Sequence, residues 1–416
     1  MPKPTRTSHA LGLLLGSTAL AGMAILPSTA LGASPTKWTG TTSSDWYTVG
    51  NWSNGVPDST QLTTFDLNGP NAPAIDGGTA VSGQLNMAIG TTTLTIQNAG
   101  VLASTSSTIG FDFGSDATVI VKGGSSWNVG AGLLRVGDGG TGALKISGAS
   151  TVSDLNAIVG QNADSSGTVT VDGAGSSWST GKVLTVGQSG AGALTVSGGA
   201  TVTDQDAVVG EIISGTGDVT VDGAGSAWQT ARAMTIGDYG VGTLTVKNAG
   251  TVHNGENSFI GNHSSGNGTV TVTGAGSTMT DDAELHVGDQ GHGTLNILAG
   301  GVVNDNASMI GFNPQSVGDA TVDGTGSQWT ITNSLNVGVA GTGTLTISNG
   351  GKVTDHDAVI GQTVGSVGTV IVTGAGSTWT NTGALDVAYD ATGTGSYDGG
   401  TLNVLKGGAV DRKSVV

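Results

Sequence analysis

Short runs of alternating apolar and polar residues recur through most of the chain. At residues 194–198 leucine and valine alternate with threonine and serine, and residues 219–223 repeat the pattern 25 positions later. Such alternation, bounded by glycine, Asp or Asn, predicts a β-strand with one buried and one solvated face. A second run of this kind, such as residues 184–187, closes each unit. The pattern therefore predicts an all-β protein with two short strands per unit.

The first apolar residue of each unit recurs at steps of 25 or 26, except for a final step of 32. These positions are Leu94, Val119, Leu144, Val169, Leu194, Val219, Leu244, Val270, Leu295, Ala320, Leu345, Val370 and Leu402. A unit of this size cannot bury its own apolar face, whereas stacked copies bury each apolar residue against its equivalent. We predict a parallel β-solenoid of about 13 coils over residues 91–410, on the order of 60 Å long. A β-propeller is the alternative, but its blades need four strands each.

The units alternate in pairs, because a large side chain recurs at every second one. The series is Trp127, Trp178, Trp228, Met279, Trp329 and Trp379, each near the end of a phrase close to G-x-G-S-x-[W/M]. An outward ladder of indoles could stack on sugar rings, but methionine in the series favours packing in the core. We predict a buried ladder with an indole about every 10 Å.

The N-terminal part of the chain departs from the repeat. Residues 1–33 combine two basic residues with an apolar run and a small-residue stretch, which is typical of a secretory signal peptide, with a membrane anchor as the alternative. Residues 34–90 contain Trp38, Trp46 and Trp52. We predict that this segment caps the solenoid, because an open end exposes unpaired strand edges.

The C-terminal residues also depart from the repeat. Residues 411–416 introduce three successive charged residues in a chain that is only 10% charged. We interpret this segment as a non-native tail or truncation artefact, and expect a translocator or anchor to be missing downstream. A longer gene sequence that continues the repeat would test this interpretation.

Composition narrows the class of protein. With 75 glycines among 416 residues, long helices are disfavoured, because each interior glycine costs a helix roughly 1 kcal/mol. The formal net charge of −17 repels phosphate backbones, so we expect no nucleic-acid partner. No cysteine is present, so stability must come from packing and backbone pairing.

Acidic residues recur in register and are the candidate metal ligands. Asp154, Asp204, Asp305 and Asp355 are each followed two residues later by Asn156, Asp206, Asn306 and Asp357. Calcium prefers six to eight oxygen ligands, which makes Asp204, Asp206, Asp355 and Asp357 weak calcium candidates. Local turn chemistry is the favoured interpretation, because Asp and Asn side chains bond to nearby backbone in turns.

No catalytic constellation stands out. His286 and His292 are six residues apart without a third ligand, and we predict that both lie at the surface. Catalysis usually breaks a local structural rule, and this repeat is regular. We therefore expect a protein that is not an enzyme and carries no catalytic residue and no cofactor.

These motifs resemble the roughly 50-residue repeat of type V secretion (autotransporter) passengers and of PEP-CTERM sorted surface proteins. The resemblance rests on G-x-G-S-x-W, L-x-V-G-x-x-G-x-G-x-L-x-V and V-x-x-x-x-A-x-[VI]-G between Leu94 and Val410. It implies a right-handed β-helix exported to the cell surface, outer membrane or medium of a Gram-negative bacterium. It transfers no catalytic residues to this chain.

Three functions follow as hypotheses. The first is a structural and adhesive surface protein that presents threonine-rich and serine-rich faces to a host or neighbouring cell surface, with polysaccharide as a candidate ligand. The second is a biofilm or exopolysaccharide-associated surface protein with PEP-CTERM-type anchoring. The third is a β-helical polysaccharide lyase or glycosidase, which a reducing-sugar assay would reveal.

Overall fold

The structure, a computed structural model, describes residues 34–65, 69–88, 90–388 and 399–412. The predicted signal peptide and the last four residues of the predicted tail lie outside these ranges. The described chain folds into a right-handed parallel β-solenoid of about 14 coils, which confirms the predicted fold class. The only described helix is the short 3-10 turn Val49–Asn51.

Each full coil has three strands, and equivalent strands of successive coils pair in parallel to form three faces. Face 1 is a 14-stranded sheet. Its strands are Ala74–Asp76, Thr91–Gln97, Asp116–Val121, Thr141–Ser147, Ser166–Asp172, Ala191–Ser197, Thr216–Asp222, Val241–Lys247, Asn267–Thr273, His292–Leu298, Val317–Asp323, Thr342–Ser348, Val367–Thr373 and Gly399–Leu405.

Faces 2 and 3 follow in each coil and carry shorter strands. The strands of face 2 are Ser126–Asn128, Thr151–Asp154, Ser177–Thr180, Thr201–Asp204, Ala227–Thr230, Thr251–Asn254, Thr278–Asp281, Val302–Asp305, Gln328–Ile331, Lys352–Asp355, Thr378–Asn381 and Ala409–Arg412. Those of face 3 are Leu133–Val136, Asn156–Val159, Val183–Val186, Asp206–Val209, Met234–Ile236, Ser258–Ile260, Glu284–Val287, Ala307–Ile310, Ser334–Val337, Asp357–Ile360 and Leu385–Val387.

The N-terminal strands join faces 2 and 3 into one sheet. They are Thr36–Lys37, Thr63–Phe65, Thr79–Met87 and Val101–Ile109. Strand Val101–Ile109 pairs with Ser126–Asn128 of face 2 through its first part and with Leu133–Val136 of face 3 through its last part. A continuous strand in the early coils therefore becomes two strands with a bend between them.

The prediction of two strands per unit is wrong, because the strand that holds the tryptophans was missed. Strand Ser177–Thr180 shows only one large apolar residue, Trp178, between polar neighbours. So short a run gives little alternation to detect, and the sequence shows it only through the spacing of the tryptophans. The coil is therefore a three-sided ring.

The interior is filled by apolar residues that lie on their equivalents in the next coil. On face 1, Leu144 pairs with Val169 and Val169 with Leu194, and all three are almost fully buried. One cluster of this kind runs along the described solenoid. This confirms the stacking principle by which a small unit buries its apolar face.

Wide and narrow coils alternate, which explains why the repeat contains two coils. On face 2, Trp178 pairs with Val152 on one side and Val202 on the other. On face 3 of the same coil, Leu184 pairs with Ala157 and Ala207. A coil with tryptophan and leucine is thus followed by a coil with valine and alanine, whose smaller side chains leave room for the indole.

The predicted cap, residues 34–90, contains an aromatic cluster at the beginning of the solenoid. The ring of Trp52 lies edge-on to those of Trp38 and Trp46, with centroids 4.9 and 4.8 Å apart, and Phe65 packs beside them. All four side chains are buried. Strand Ala74–Asp76 of this segment already pairs with face 1, which brings that sheet to 14 strands.

The last described coil continues the ladders. Strand Gly399–Leu405 pairs with Val367–Thr373, and Ala409–Arg412 pairs with Thr378–Asn381. Asp411 and Arg412 of the predicted tail therefore belong to a face 2 strand in the structure. Among the described residues, no helix is long and apolar enough to cross a membrane.

Candidate functional site

Two features of the solenoid carry polar groups in register, one outside and one inside. The outer feature is a pair of rows on face 1, here called the threonine rows. The first row is Thr93, Thr118, Ala143, Thr168, Ala193, Asp218, Thr243, Thr269, Thr294, Asp319, Thr344, Thr369 and Thr401. The second row lies two residues further along each strand, from Thr95 to Asn403.

The threonine rows alternate with the buried residues of face 1, so their side chains point outward. Strand Val241–Lys247 shows the pattern, with Leu244 and Val246 buried and Thr243 and Thr245 half-buried. Neighbouring coils are about 4.8 Å apart and the two rows about 7 Å apart. The backbone ladders hold this array of hydroxyl and methyl groups rigid.

The inner feature is the interior polar row, formed by the last residue of the ten face 2 strands from Thr151–Asp154 to Thr378–Asn381. Its members are Asp154, Thr180, Asp204, Thr230, Asn254, Asp281, Asp305, Ile331, Asp355 and Asn381. All of these side chains are buried. The predicted turn role for the aspartates of this row is therefore wrong: the strand alternates, and this position faces inward two residues after the apolar one.

Four aspartates of the interior polar row bind the tryptophan ladder. The indole Nε1 of Trp178 donates to Asp154 Oδ2 at 2.6 Å, and Trp228 and Trp329 donate to Asp204 and Asp305 at 2.7 Å. Trp379 makes the same bond to Asp355. Each tryptophan thus reaches back to the preceding, narrower coil. The ladder Trp127, Trp178, Trp228, Met279, Trp329 and Trp379 lies wholly in the interior.

Burial raises the pKa of every one of these carboxyl groups. It brings the pKa of Asp154 and Asp355 to about 6 and that of Asp204 and Asp305 to about 7, while the indole hydrogen bond acts in the opposite direction. The cause is the loss of hydration, which penalises the charged form. A substantial fraction of each group is therefore neutral near pH 6.

The copy around Met279 shows what happens without an indole. The position that holds aspartate elsewhere is Asn254. The carboxylate moves one coil on, to Asp281, where the Ala283 backbone N–H donates to it at 3.1 Å and Asn254 Nδ2 approaches it at 3.4 Å. In this copy the aspartate and the tryptophan are thus replaced together, by Asn254 and Met279.

The weak calcium candidates are not gathered into a site. Asp204 and Asp355 point inward to their indoles, whereas Asp206 pairs with Arg232 and Asp357 Oδ1 accepts the Ala384 backbone N–H at 2.7 Å. In the part of the chain that the structure describes, no group of three or more acidic or histidine side chains could hold a metal ion. Calcium binding stays a prediction.

His286 is buried, so the prediction of a surface position is wrong for it. Its Nδ1 lies 2.8 Å from Asp289 Oδ1 and its Nε2 3.2 Å from Glu284 Oε2, and the rings of Phe259 and Phe312 pack against it. Burial lowers its pKa, but the two carboxylates outweigh this and leave the pKa raised. The aromatic neighbours come from other coils, which the local sequence does not reveal. His292 is half exposed, as predicted.

The chain was compared with known families, curated proteins and solved structures. No family model matches it, and the comparison with curated proteins gives no match. Among solved structures it is similar to the TibC-catalysed, hyper-glycosylated TibA fragment, with a TM-score of 0.33 and 17% sequence identity. That similarity covers 81% of this chain and 99% of the fragment. A TM-score at this level does not identify a family.

The interior polar row was detectable in part from the sequence. The regular spacing of Asp154, Asp204, Asp305 and Asp355 is visible. A second signal is that each lies 24 residues before a tryptophan, which is close to one coil. Together these spacings place carboxylate and indole in adjacent coils, and only the inward direction of the aspartate was missing.

Proposed function

We propose that this chain is an exported, cell-surface β-helical protein with a structural and adhesive role, which binds repetitive polymers such as polysaccharide through face 1. The threonine rows support this most directly. Regularly spaced hydroxyl groups on a rigid surface can meet a ligand whose own polar groups repeat. The proposed role includes no catalytic step.

Binding by such a face depends on the number of contacts rather than on the strength of each contact. A single threonine contact contributes little, but contacts on one rigid surface form at high effective concentration once the first has formed. Parallel ladders on all three faces keep the array straight. The acidic surface, with a net charge of −17, favours neutral or cationic partners over anionic ones.

A shallow depression of about 320 Å³ lies along the first threonine row and is a starting point for a sugar-sized group. Its lining includes Ala193, where the first row has lost its threonine, and Thr168, Asp218 and Thr243 of the same row. The threonine hydroxyls can donate hydrogen bonds to sugar hydroxyls and accept them, and the carboxylate of Asp218 can accept them.

The test is binding of the labelled chain to insoluble polysaccharides and to whole bacterial cells. Replacing Thr243, Thr245, Thr269 and Thr271 by valine removes four hydroxyls from face 1 while keeping side-chain shape and β-propensity. We expect this variant to lose at least tenfold in apparent affinity, because multivalent binding multiplies small losses.

The matched control carries four threonine-to-valine changes on the outer side of face 2, at Thr203, Thr330, Thr354 and Thr380. These residues are half-buried like the four on face 1. Unchanged binding by the control and reduced binding by the face 1 variant would support the proposal. Equal binding by both variants, or release of reducing ends from any polysaccharide, would count against it.

A further inference from the structure

The interior polar row has a chemical property that an adhesive surface does not require. A solenoid interior can be filled entirely by apolar side chains, yet this one contains buried aspartates in coil after coil. Burying a carboxylate costs free energy unless it is neutralised or fully hydrogen-bonded. The residues around each aspartate decide which of these applies.

Hydrogen bonding is incomplete around two of them. Asp154 Oδ2 accepts the indole N–H of Trp178, whereas Oδ1 faces the hydroxyl of Thr180, its paired residue in the next coil, without a hydrogen bond of normal geometry. The hydroxyl still lowers the pKa of Asp154, but by less than burial raises it. Asp204 and Thr230 repeat this arrangement. An ionised carboxylate normally accepts more than one hydrogen bond, so these sites suit the neutral acid better.

Charge compensation is missing as well. No charged group shifts the pKa of Asp154, whereas neighbouring carboxylates raise the pKa of the others: Asp206 acts on Asp204, Asp282 on Asp281, and Asp281 on Asp305. Asp355 is near both Asp357 and His356. The inward-facing residues of the face 1 strands in these coils, such as Leu194 and Val219, are apolar and buried. Apart from His356, every titratable neighbour is acidic and disfavours ionisation.

We propose that the interior polar row is a proton-operated lock on the solenoid, in which neutral aspartates hold adjacent coils together in mildly acidic surroundings and their ionisation loosens the stack. The tryptophan ladder belongs to the lock, because each indole joins its coil to the aspartate of the preceding one. The lock is repeated four times, so its effect accumulates along the molecule.

The direction of the pH dependence follows from linkage. The folded pKa values, about 6 to 7, lie above the ordinary value of 3.8. The folded state therefore binds more protons than the unfolded state between these limits, and stability falls as pH rises. The stabilisation that the neutral aspartates contribute is fully present below about pH 4 and is lost as pH rises through 6 to 7. This is the opposite of ordinary acid denaturation. Each aspartate raises the unfolding constant by at most about tenfold per pH unit in this window.

The experiment is urea unfolding of the full chain between pH 4.5 and 8.5, followed by circular dichroism. We expect the midpoint of the unmodified chain to fall as pH rises to about 7 and to level off above it. A variant with Asp154, Asp204, Asp305 and Asp355 replaced by asparagine keeps the shape of the neutral acid and an acceptor for each indole. It should lose most of the slope, keeping only the part due to Asp281, whose pKa burial raises to about 6, and should have a higher midpoint than the unmodified chain at pH 8.

A matched control removes the same charge outside, with asparagine at Asp116, Asp218, Asp319 and Asp386. It should keep the slope of the unmodified chain. A flat or rising profile of the unmodified chain, or loss of slope in the control, would overturn the proposal.

A second measurement decides the case if the fourfold interior variant does not fold. The infrared carbonyl band of neutral carboxyl groups in the unmodified chain should persist above pH 5, where exposed carboxyls are ionised, and disappear between pH 6 and 8. Its absence above pH 5 would show that the interior aspartates are already ionised, which would refute the lock.

Discussion

Four aspartates of the interior polar row, Asp154, Asp204, Asp305 and Asp355, each accept one hydrogen bond from an indole that belongs to the following coil. The bond to Asp204 is 2.7 Å long and fully buried. Trp127, at the beginning of the ladder, donates instead to the hydroxyl of Ser104 at 3.0 Å. The same side chain thus meets a titratable partner in one coil and a neutral partner in another, which allows the contribution of charge to be separated from that of volume.

At the residue scale we predict that Trp228→Phe destabilises the protein more at pH 8 than at pH 5. The phenyl ring leaves Asp204 without its donor, which costs roughly 1 to 3 kcal/mol for a buried polar group and more for a charged one. Trp127→Phe loses the same volume beside a neutral hydroxyl, so its cost should not depend on pH. Urea midpoints of both variants at the two pH values check this, and equal pH dependence would contradict it.

At the scale of the element, the coils from Gly110 to Gly361 turn at a glycine that follows face 3, and Ala388 takes this place in the last described coil. Gly110 has a φ of +75°, and a Cβ at this position would lie 2.4 Å from the backbone oxygen of Thr141 in the next coil. Both the left-handed backbone and the close approach of the neighbouring coil therefore require glycine. Gly114, with a φ of +78°, has open space where its Cβ would be.

We predict different costs for alanine at these two glycines. Gly110→Ala should destabilise by about 3 kcal/mol, because the methyl group meets backbone that can move only if the coils separate. Gly114→Ala should cost only about 1 kcal/mol, the strain of the left-handed conformation alone. Thermal unfolding of the two variants measures the difference, and equal losses would show that coil spacing is not what selects glycine at Gly110.

At the scale of the whole molecule, the alternation of wide and narrow coils makes the two-coil unit the smallest piece that can be exchanged. Valine coils separate the tryptophan coils along face 2. Since each coil contacts mainly its neighbours, stability in such repeats is nearly a sum of units and interfaces. The stability of the solenoid therefore depends on the order of wide and narrow coils as much as on the number of coils.

Two deletions test this order. Deleting residues 201–250 removes one narrow and one wide coil and joins equivalent positions, so we expect a folded protein with a similar urea midpoint. Deleting residues 201–226 removes only the narrow coil and puts Trp228 directly on Trp178, without the aspartate that its indole requires. We expect this shorter deletion to cost several kcal/mol, and comparable stability of the two would argue against the alternation.

Much of this fold could be predicted because the repeat is visible in the amino-acid sequence. The spacing between Leu94, Val119 and Leu144 gives the length of a coil, and period-two alternation bounded by glycine predicts its strands. Stacking follows from the size of the unit alone, since so few residues cannot make a core. The predicted burial of the tryptophan ladder, argued from Met279, agrees with its position in the interior.

The prediction failed where side-chain direction depends on the next coil. The aspartates of the interior polar row looked like turn residues, and His286 looked like a surface residue, because nothing within a few positions of either shows what covers it. A three-residue strand such as Ser126–Asn128 is likewise too short to carry a period. Its existence depends on pairing with the coils on either side.

The sequence by itself determined the period, the β-class and the parallel stacking, because each is set by local alternation and by the need to bury a small apolar face. Only the tertiary structure decided that the coil has three faces, that the aspartates point inward, and that indole and carboxylate meet across adjacent coils. The physical reason is that these contacts join residues about 25 positions apart, which become neighbours only when one coil lies on another.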